Sequence, residues 1–241
     1  MKAVILAGGK GTRLAPYTAV LPKPLMPVDD RPILDIVIRQ LGRSGIDEII
    51  LSVGYLAELL EAYYRDGSRF GLPISYAREP VPLGTAGPLS LIHEQYGLTE
   101  TFLMMNGDVL TSLDYRRLID FHHQMGGVLT IAMHTKQQKI DLGVMHVNDS
   151  HELTDYIEKP SVDYRVSMGI YVFEPKVLGC IESGVRLDFN HLVLRLLERK
   201  ERVIAYPCTD LWLDIGRHDD YQQATDLFIQ RRTDFIGEEP E

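Results

Sequence analysis

Cysteine is nearly absent: among 241 residues only Cys180 and Cys208 occur, and their spacing matches no metal motif. That excludes a disulfide framework and a cysteine-built zinc or iron–sulfur centre; the pair reads as small core thiols of a reducing compartment. Long apolar runs are missing too. Val4–Ala7 stops at Gly8, and no stretch approaches the ~20 residues of a membrane-spanning helix. The same run is too short for the core of a secretory signal, so a cytoplasmic location is expected, with no membrane partner. Basic charge is scarce: 25 Lys and Arg face 34 Asp and Glu, a net charge of −9. Such a surface repels nucleic-acid phosphates, so any anion site must be a local cationic pocket in an acidic body. No repeat, low-complexity segment or linker appears.

Two common phosphate-loop signatures are incomplete. No Gly-Lys-Ser/Thr ending exists, which excludes a P-loop. Gly9-Lys10-Gly11-Thr12-Arg13 is followed by Leu14, so the third glycine of the dinucleotide fingerprint is missing, and with it the close packing of helix on strand. Asp29 and Asp30 stand near the expected distance of a ribose-binding acid. They occupy Val28-Asp29-Asp30-Arg31-Pro32, however, which reads as a turn before a helix.

What is present is an apolar strand, Lys2–Leu6, running into the glycine-rich Ala7-Gly8-Gly9-Lys10-Gly11-Thr12-Arg13, with Lys23 ten residues after Arg13. Glycines expose backbone amides, and amides with cations around them hold several phosphates at once. A nucleotide is the expected ligand.

Strand-like and helical segments alternate along the first 134 residues. Helical stripes fall at 33–42, 56–63, 87–95 and 115–124, and apolar strands at 48–54, 74–77, 102–106 and 128–134. After about residue 140 short strands dominate (143–147, 153–157, 166–173). A helix at 189–200, a last strand pair at 203–206 and 212–215, and a helix at 219–231 follow. This order predicts an α/β fold, a mostly parallel mixed sheet with helices on both faces and a small antiparallel subregion. One domain is expected over 1–233, with 234–241 an acidic, loose tail.

In such sheets ligands lie beyond the carboxyl ends of the strands. Asp108 ends the apolar strand at Asn106-Gly107-Asp108, and Asp214 sits in Trp212-Leu213-Asp214-Ile215-Gly216. Carboxylates among apolar neighbours need a cation, and two of them with phosphate oxygens suit Mg²⁺. Helix capping by Asp108 and an ion pair of Asp214 with Arg217 are the structural alternatives. Glu158-Lys159-Pro160 closes a strand, and the proline fixes the direction of the lysine. The histidines form no metal set: His122 and His123 are adjacent and cannot share a helix face.

Together these segments resemble the sugar-phosphate nucleotidyltransferases, which make nucleotide sugars from a sugar 1-phosphate and a nucleoside triphosphate on a Rossmann-like, glycosyltransferase-A-like sheet. The motifs are Gly8-Gly9-Lys10-Gly11-Thr12-Arg13-Leu14 with Pro22-Lys23-Pro24-Leu25, then Pro82-Leu83-Gly84-Thr85-Ala86-Gly87, Asn106-Gly107-Asp108, Glu158-Lys159-Pro160, Gly169-Ile170-Tyr171 and Trp212-Leu213-Asp214-Ile215-Gly216. The resemblance implies nucleotide contacts from Leu6, Ala7, Gly8, Gly9, Gly11, Thr12, Arg13, Lys23, Gly84 and Thr85. It implies catalytic roles for Arg13, Lys23 and Asp108, and Mg²⁺ on Asp108 and Asp214. Sugar-phosphate contacts would come from Gly143, Glu158, Lys159, Ser167 and Gly169. Ser167 stands where many relatives carry asparagine, which puts the sugar's identity in doubt. The glycine segment at 84–87 is most similar to guanylyltransferases acting on mannose 1-phosphate or related hexose and heptose phosphates. GTP is therefore the expected triphosphate, with CTP, UTP or dTTP and a glucose-type or amino-sugar phosphate as the alternative. A further regulatory or acyltransferase domain is not expected in a chain of this length. Homo-oligomerisation is left open. A glycosyltransferase would carry an Asp-x-Asp motif, and only Asn106-Gly107-Asp108 is present; a non-catalytic nucleotide-sugar sensor would have lost a cation or metal ligand, and Arg13, Lys23, Asp108, Lys159 and Asp214 all remain.

Overall fold

The computed structural model describes residues 1–237. Its strands and helices, in chain order, begin with β1 (Lys2–Leu6), the short pair β2 (Pro27–Val28) and β3 (Arg31–Pro32), and α1 (Ile33–Arg43). Next come β4 (Glu48–Val53), α2 (Ala57–Tyr64), β5 (Ile74–Arg78), α3 (Pro88–Tyr96), β6 (Phe102–Asn106), β7 (Val109–Thr111) and α4 (Tyr115–Met125). The second half holds β8 (Leu129–Lys139), β9 (Gly143–Val147), β10 (Leu153–Glu158) and β11 (Ser161–Phe173). It closes with α5 (Phe189–Glu198), β12 (Val203–Cys208), β13 (Trp212–Asp214), α6 (His218–Gln230) and α7 (Arg232–Ile236).

Seven strands form the central sheet in the order β12-β8-β11-β6-β1-β4-β5. All run parallel except β11, which is antiparallel to both β6 and β8. Central strands of such a sheet are covered on both faces, hence the unbroken apolar character of β1 and β6 rather than an alternating one. One face packs Leu34, Val37, Ile38 and Leu41 of α1 against Ile5, Leu51 and Leu103. The other packs Leu89 and Ile92 of α3 and Leu192 and Leu196 of α5 against Val4, Ile50 and Met104. Parallel order places the carboxyl ends of β1, β4, β5 and β6 side by side, and the cleft opens there.

Three details differ from the sequence expectation. The strands at 203–208 and 212–214 do not pair with each other: β12 adds to β8, and β13 pairs with the unpredicted β7. A strand of three residues carries too little pattern to be read locally. Because β7 follows Asp108 directly, that residue caps no helix. Thirdly, the expected loose tail begins at Asp234, yet α7 extends into its first three residues and buries Phe235 and Ile236 against Phe228 of α6. Burying two large apolar side chains outweighs the acidic composition; residues 238–241 lie outside the described ones.

Candidate active site

The apolar strand β1 delivers the glycine loop to the carboxyl edge of the sheet. Ala7 still donates to Ser52 O at 2.8 Å, as if the strand continued, and Tyr55 N donates to Gly8 O at 3.2 Å. A Cβ on Gly8 would stand 3.1 Å from both Gly54 N and the Glu79 carboxylate, a tight contact that glycine avoids where the two backbones approach. Gly11 turns the chain at φ +59° into the short turn Thr12–Leu14, anchored by buried Leu14 and by Thr18 Oγ1 donating to Gly11 O. Arg13 is left exposed at the cleft, its guanidinium beside Gly216 and near Asp220.

Lys23 starts a second short turn between Pro22 and Pro24 and is almost wholly buried. Its ammonium group donates to Asp108 Oδ2. Asp108 stands in the two-residue connection between β6 and β7, held by Gly107 N donating to Leu6 O at 2.9 Å. The other carboxylate oxygen, Oδ1, is buried with no hydrogen-bond partner. The β7–β13 pairing sets Asp214 opposite Val109, beside Asp108, and Ile215 N donates to Asp108 O at 3.3 Å. Asp214 sits at the open lip. Desolvation and then the like charge of Asp108 hold its carboxyl above the usual carboxylate range, with Lys23 and Arg13 pulling the other way. The alternative ion pair with Arg217 is not formed among the described residues.

The cleft has two lobes. One, of about 310 Å³, is walled by Leu6, Ala7, Gly9, Gly11, Thr12, Arg13, Lys23 and Asp108. The other, of about 640 Å³, adds Gly8, Lys10, Tyr55, Glu79, Gly84, Thr85, Asn106 and the Arg186–Asp188 pair. Leu6, Gly9 and Asp108 border both. Gly84 adopts φ +82°, where a Cβ would meet Leu187 O at 2.6 Å. The Thr85 hydroxyl accepts from Phe189 N at 2.8 Å, tying this loop to the start of α5.

Ser167 and Gly169 lie on β11 where its register shifts. The Ser167 hydroxyl is already engaged, donating to Tyr171 Oη at 3.2 Å and accepting from Gly169 N at 3.3 Å. Gly169, at φ +75°, leaves room for the Asn106 amide. Gly143, Glu158 and Lys159 belong to the exposed β9–β10 hairpin and wall neither lobe. There the Tyr156 ring lies over Gly143, and its hydroxyl donates to Glu158 Oε2 at 3.0 Å.

Sequence reasoning missed Tyr55, Glu79, Asn106, Arg186 and Asp188 as cleft residues. Tyr55 and Glu79 follow the ends of β4 and β5, the position rule that found Asp108. Glu79 is fixed by Ser52 Oγ at 2.9 Å and Leu83 N at 2.9 Å, so its carboxylate faces the larger lobe in a set orientation. Arg186 and Asp188 arrive from a remote loop, and nothing local marks them.

Comparison with known proteins agrees. A family model described as "Nucleotidyl transferase" matches residues 2–231. The chain is 36% identical to a UTP–glucose-1-phosphate uridylyltransferase of Synechocystis sp., covering 93% of this chain and 62% of that protein. It is 34% identical to the mannose-1-phosphate guanylyltransferase catalytic subunit beta of Danio rerio, covering 95% of this chain and 65% of the relative. The chain thus spans about two thirds, or slightly less, of these relatives' lengths. Among solved structures, HddC from Yersinia pseudotuberculosis superposes with a TM-score of 0.71 at 25% identity, over 94% of this chain and 99% of that one.

Proposed function

The chain belongs to the nucleotidyl transferase family, and on that premise we propose that it transfers a nucleotidyl group from a nucleoside triphosphate to a sugar 1-phosphate, releasing pyrophosphate. The observation that carries this reading is the pairing of Lys23 with Asp108 at the foot of the glycine loop, with Asp214 set beside Asp108 by the β7–β13 pairing though it walls neither lobe itself. Three charged groups from sequence positions up to 191 residues apart are thus neighbours at the edge of the smaller lobe.

The residues fit a magnesium ion. Asp108 keeps one buried oxygen without a partner, and Asp214 brings a second carboxylate whose ionised form is disfavoured without a cation. Mg²⁺ takes one or two carboxylates and completes its shell with water and phosphate oxygens. When bound it would withdraw charge from the phosphates and hold them in register.

The remaining work falls to the chain. A sugar phosphate is largely dianionic at neutral pH, its second pKa being about 6, so its oxygen needs no general base. That oxygen forms a bond to the α-phosphorus, the bond from the α-phosphorus to the bridging oxygen breaks, and pyrophosphate leaves with the electron pair. Lys23 and Arg13 offset the charge that builds on the leaving group, and the loop amides fix the triphosphate for in-line attack. GTP is our choice of donor because the fixed Glu79 carboxylate is an acceptor facing the larger lobe. Guanine offers it two adjacent N–H donors, whereas uracil and thymine flank one donor with carbonyls. The acceptor is mannose 1-phosphate or a related hexose or heptose 1-phosphate. Lys159 and Glu158 on the hairpin are proposed to reach it. Free, reduced cysteines are in keeping with a cytoplasmic site of action.

Pyrophosphate release with each triphosphate and a panel of sugar 1-phosphates tests the reading. Release that requires GTP, one sugar phosphate and Mg²⁺, and stops on chelation, is the expected result. Release with UTP instead would overturn the role of Glu79. No release from folded protein that binds nucleotide would replace the enzyme with a sensor.

A further inference from the structure

Three neutral polar side chains wall the larger lobe: Tyr55, Thr85 and Asn106. Two are committed within the protein. The Tyr55 hydroxyl donates to Ala19 O at 3.1 Å, and the Thr85 hydroxyl accepts from Phe189 N at 2.8 Å. The Asn106 carboxamide is only partly buried and makes no hydrogen bond to any described residue. It is nevertheless confined. Asn106 pairs in register with Leu6 of β1 on one side, and on the other its amide nitrogen lies 2.7 Å from where a Gly169 Cβ would stand. Gly169, at φ +75°, keeps open the space that the carboxamide fills. An amide confined by its neighbours, with both N–H donors and its carbonyl unbonded at a cleft wall, is set to bond what enters the cleft.

We propose that Asn106 is a specificity-determining residue for the acceptor, its carboxamide bonding two neighbouring hydroxyls of the sugar 1-phosphate; this rests on the proposed function. Its place in the sheet argues for the acceptor over the donor. In the order β11-β6-β1-β4-β5 the glycine loop follows β1 and Glu79 follows β5. On that reading the triphosphate and its base span this half of the edge. Asn106 ends β6, three strand spacings or about 14 Å from β5, and its amide packs towards β11, the strand that carries Ser167 and Gly169. Ser167 is not free for the same work, since its hydroxyl is already engaged by Tyr171 and Gly169. A sugar hydroxyl both donates and accepts, and a carboxamide offers donors and an acceptor in one plane. It can therefore span two adjacent hydroxyls and reject a sugar lacking either one.

Pyrophosphate release by the full chain tests the assignment, with mannose and glucose 1-phosphates and the monodeoxy analogues of each as acceptors. Asn106→Leu is close in size and removes the hydrogen bonds; Asn106→Ala adds no bulk and serves should leucine disturb the fold, which circular dichroism checks. In both variants KM for the sugar phosphate should rise about tenfold or more, with kcat within about threefold and KM for the triphosphate unchanged. Wild type should lose a similar factor with the analogue that lacks a bonded hydroxyl, and the variants should lose nothing further with it. Deoxy penalties that persist undiminished in the variants would show a merely structural asparagine and overturn the proposal. An unchanged KM for the sugar phosphate, or a rise confined to the triphosphate, would overturn it too while leaving the reaction in place. Wild type that neither releases pyrophosphate nor binds either sugar phosphate in calorimetric titration would remove the reaction and the proposal together.

Discussion

Replacing Lys23 by methionine removes the cation from Asp108 while keeping most of the apolar volume of the side chain. The lysine is almost fully buried, and the aspartate side chain is only a quarter exposed. Breaking a buried ion pair from one side costs about 3–5 kcal/mol, because a charge remains without compensation. Partial hydration of Asp108 places the expected loss at the lower end, about 3 kcal/mol. Asp214 stands alongside as a second carboxylate, which adds to the negative charge left uncompensated. Asp108→Asn in the Lys23→Met background removes the stranded charge and should return about 2 kcal/mol. Urea denaturation followed by circular dichroism measures both. Activity should not follow stability: each single variant loses a hundredfold or more in pyrophosphate release, about 3 kcal/mol of transition-state stabilisation, and the double variant recovers none of it. If the two substitutions add within about 0.5 kcal/mol in stability, they are independent and the charge-pair reasoning is wrong.

Acid should weaken the fold through His122, which is buried between Thr130 Oγ1 at 2.8 Å and Glu174 at 3.0 Å. Burial lowers its pKa against the opposing pull of Glu174, so the unfolded chain takes up a proton below about pH 6.5 that the native state refuses. The urea midpoint should fall between pH 7 and 5, and the His122→Gln slope over that range should be flatter; an equally steep slope would point to other groups. Phe235→Ala, within the segment expected to be loose, should cost about 3 kcal/mol because the ring is buried beside Phe228, with centroids 5.7 Å apart. A loss below about 0.5 kcal/mol would mean that α7 is not held against α6 in solution.

The sequence alone determined what depends on near neighbours. Unbroken apolar runs predicted β1, β4 and β6, and 3.6-residue stripes predicted α1 and α4, because burial imposes its period on consecutive residues. Gly8 and Gly11 were legible as glycines of a phosphate loop, and Lys23, Asp108 and Asp214 as charges in company that demands a reason. Only the tertiary structure decided which charges meet. Asp214 reaches Asp108 through β7 and β13, strands too short to carry a pattern, and Arg186 and Asp188 enter the cleft from a loop about 100 residues beyond Glu79. It also decided that Asp234–Ile236 form a helix and that Tyr156 covers Gly143. Period and composition are local sums, whereas a contact between distant segments depends on the closure of the whole sheet, and no window of sequence contains it.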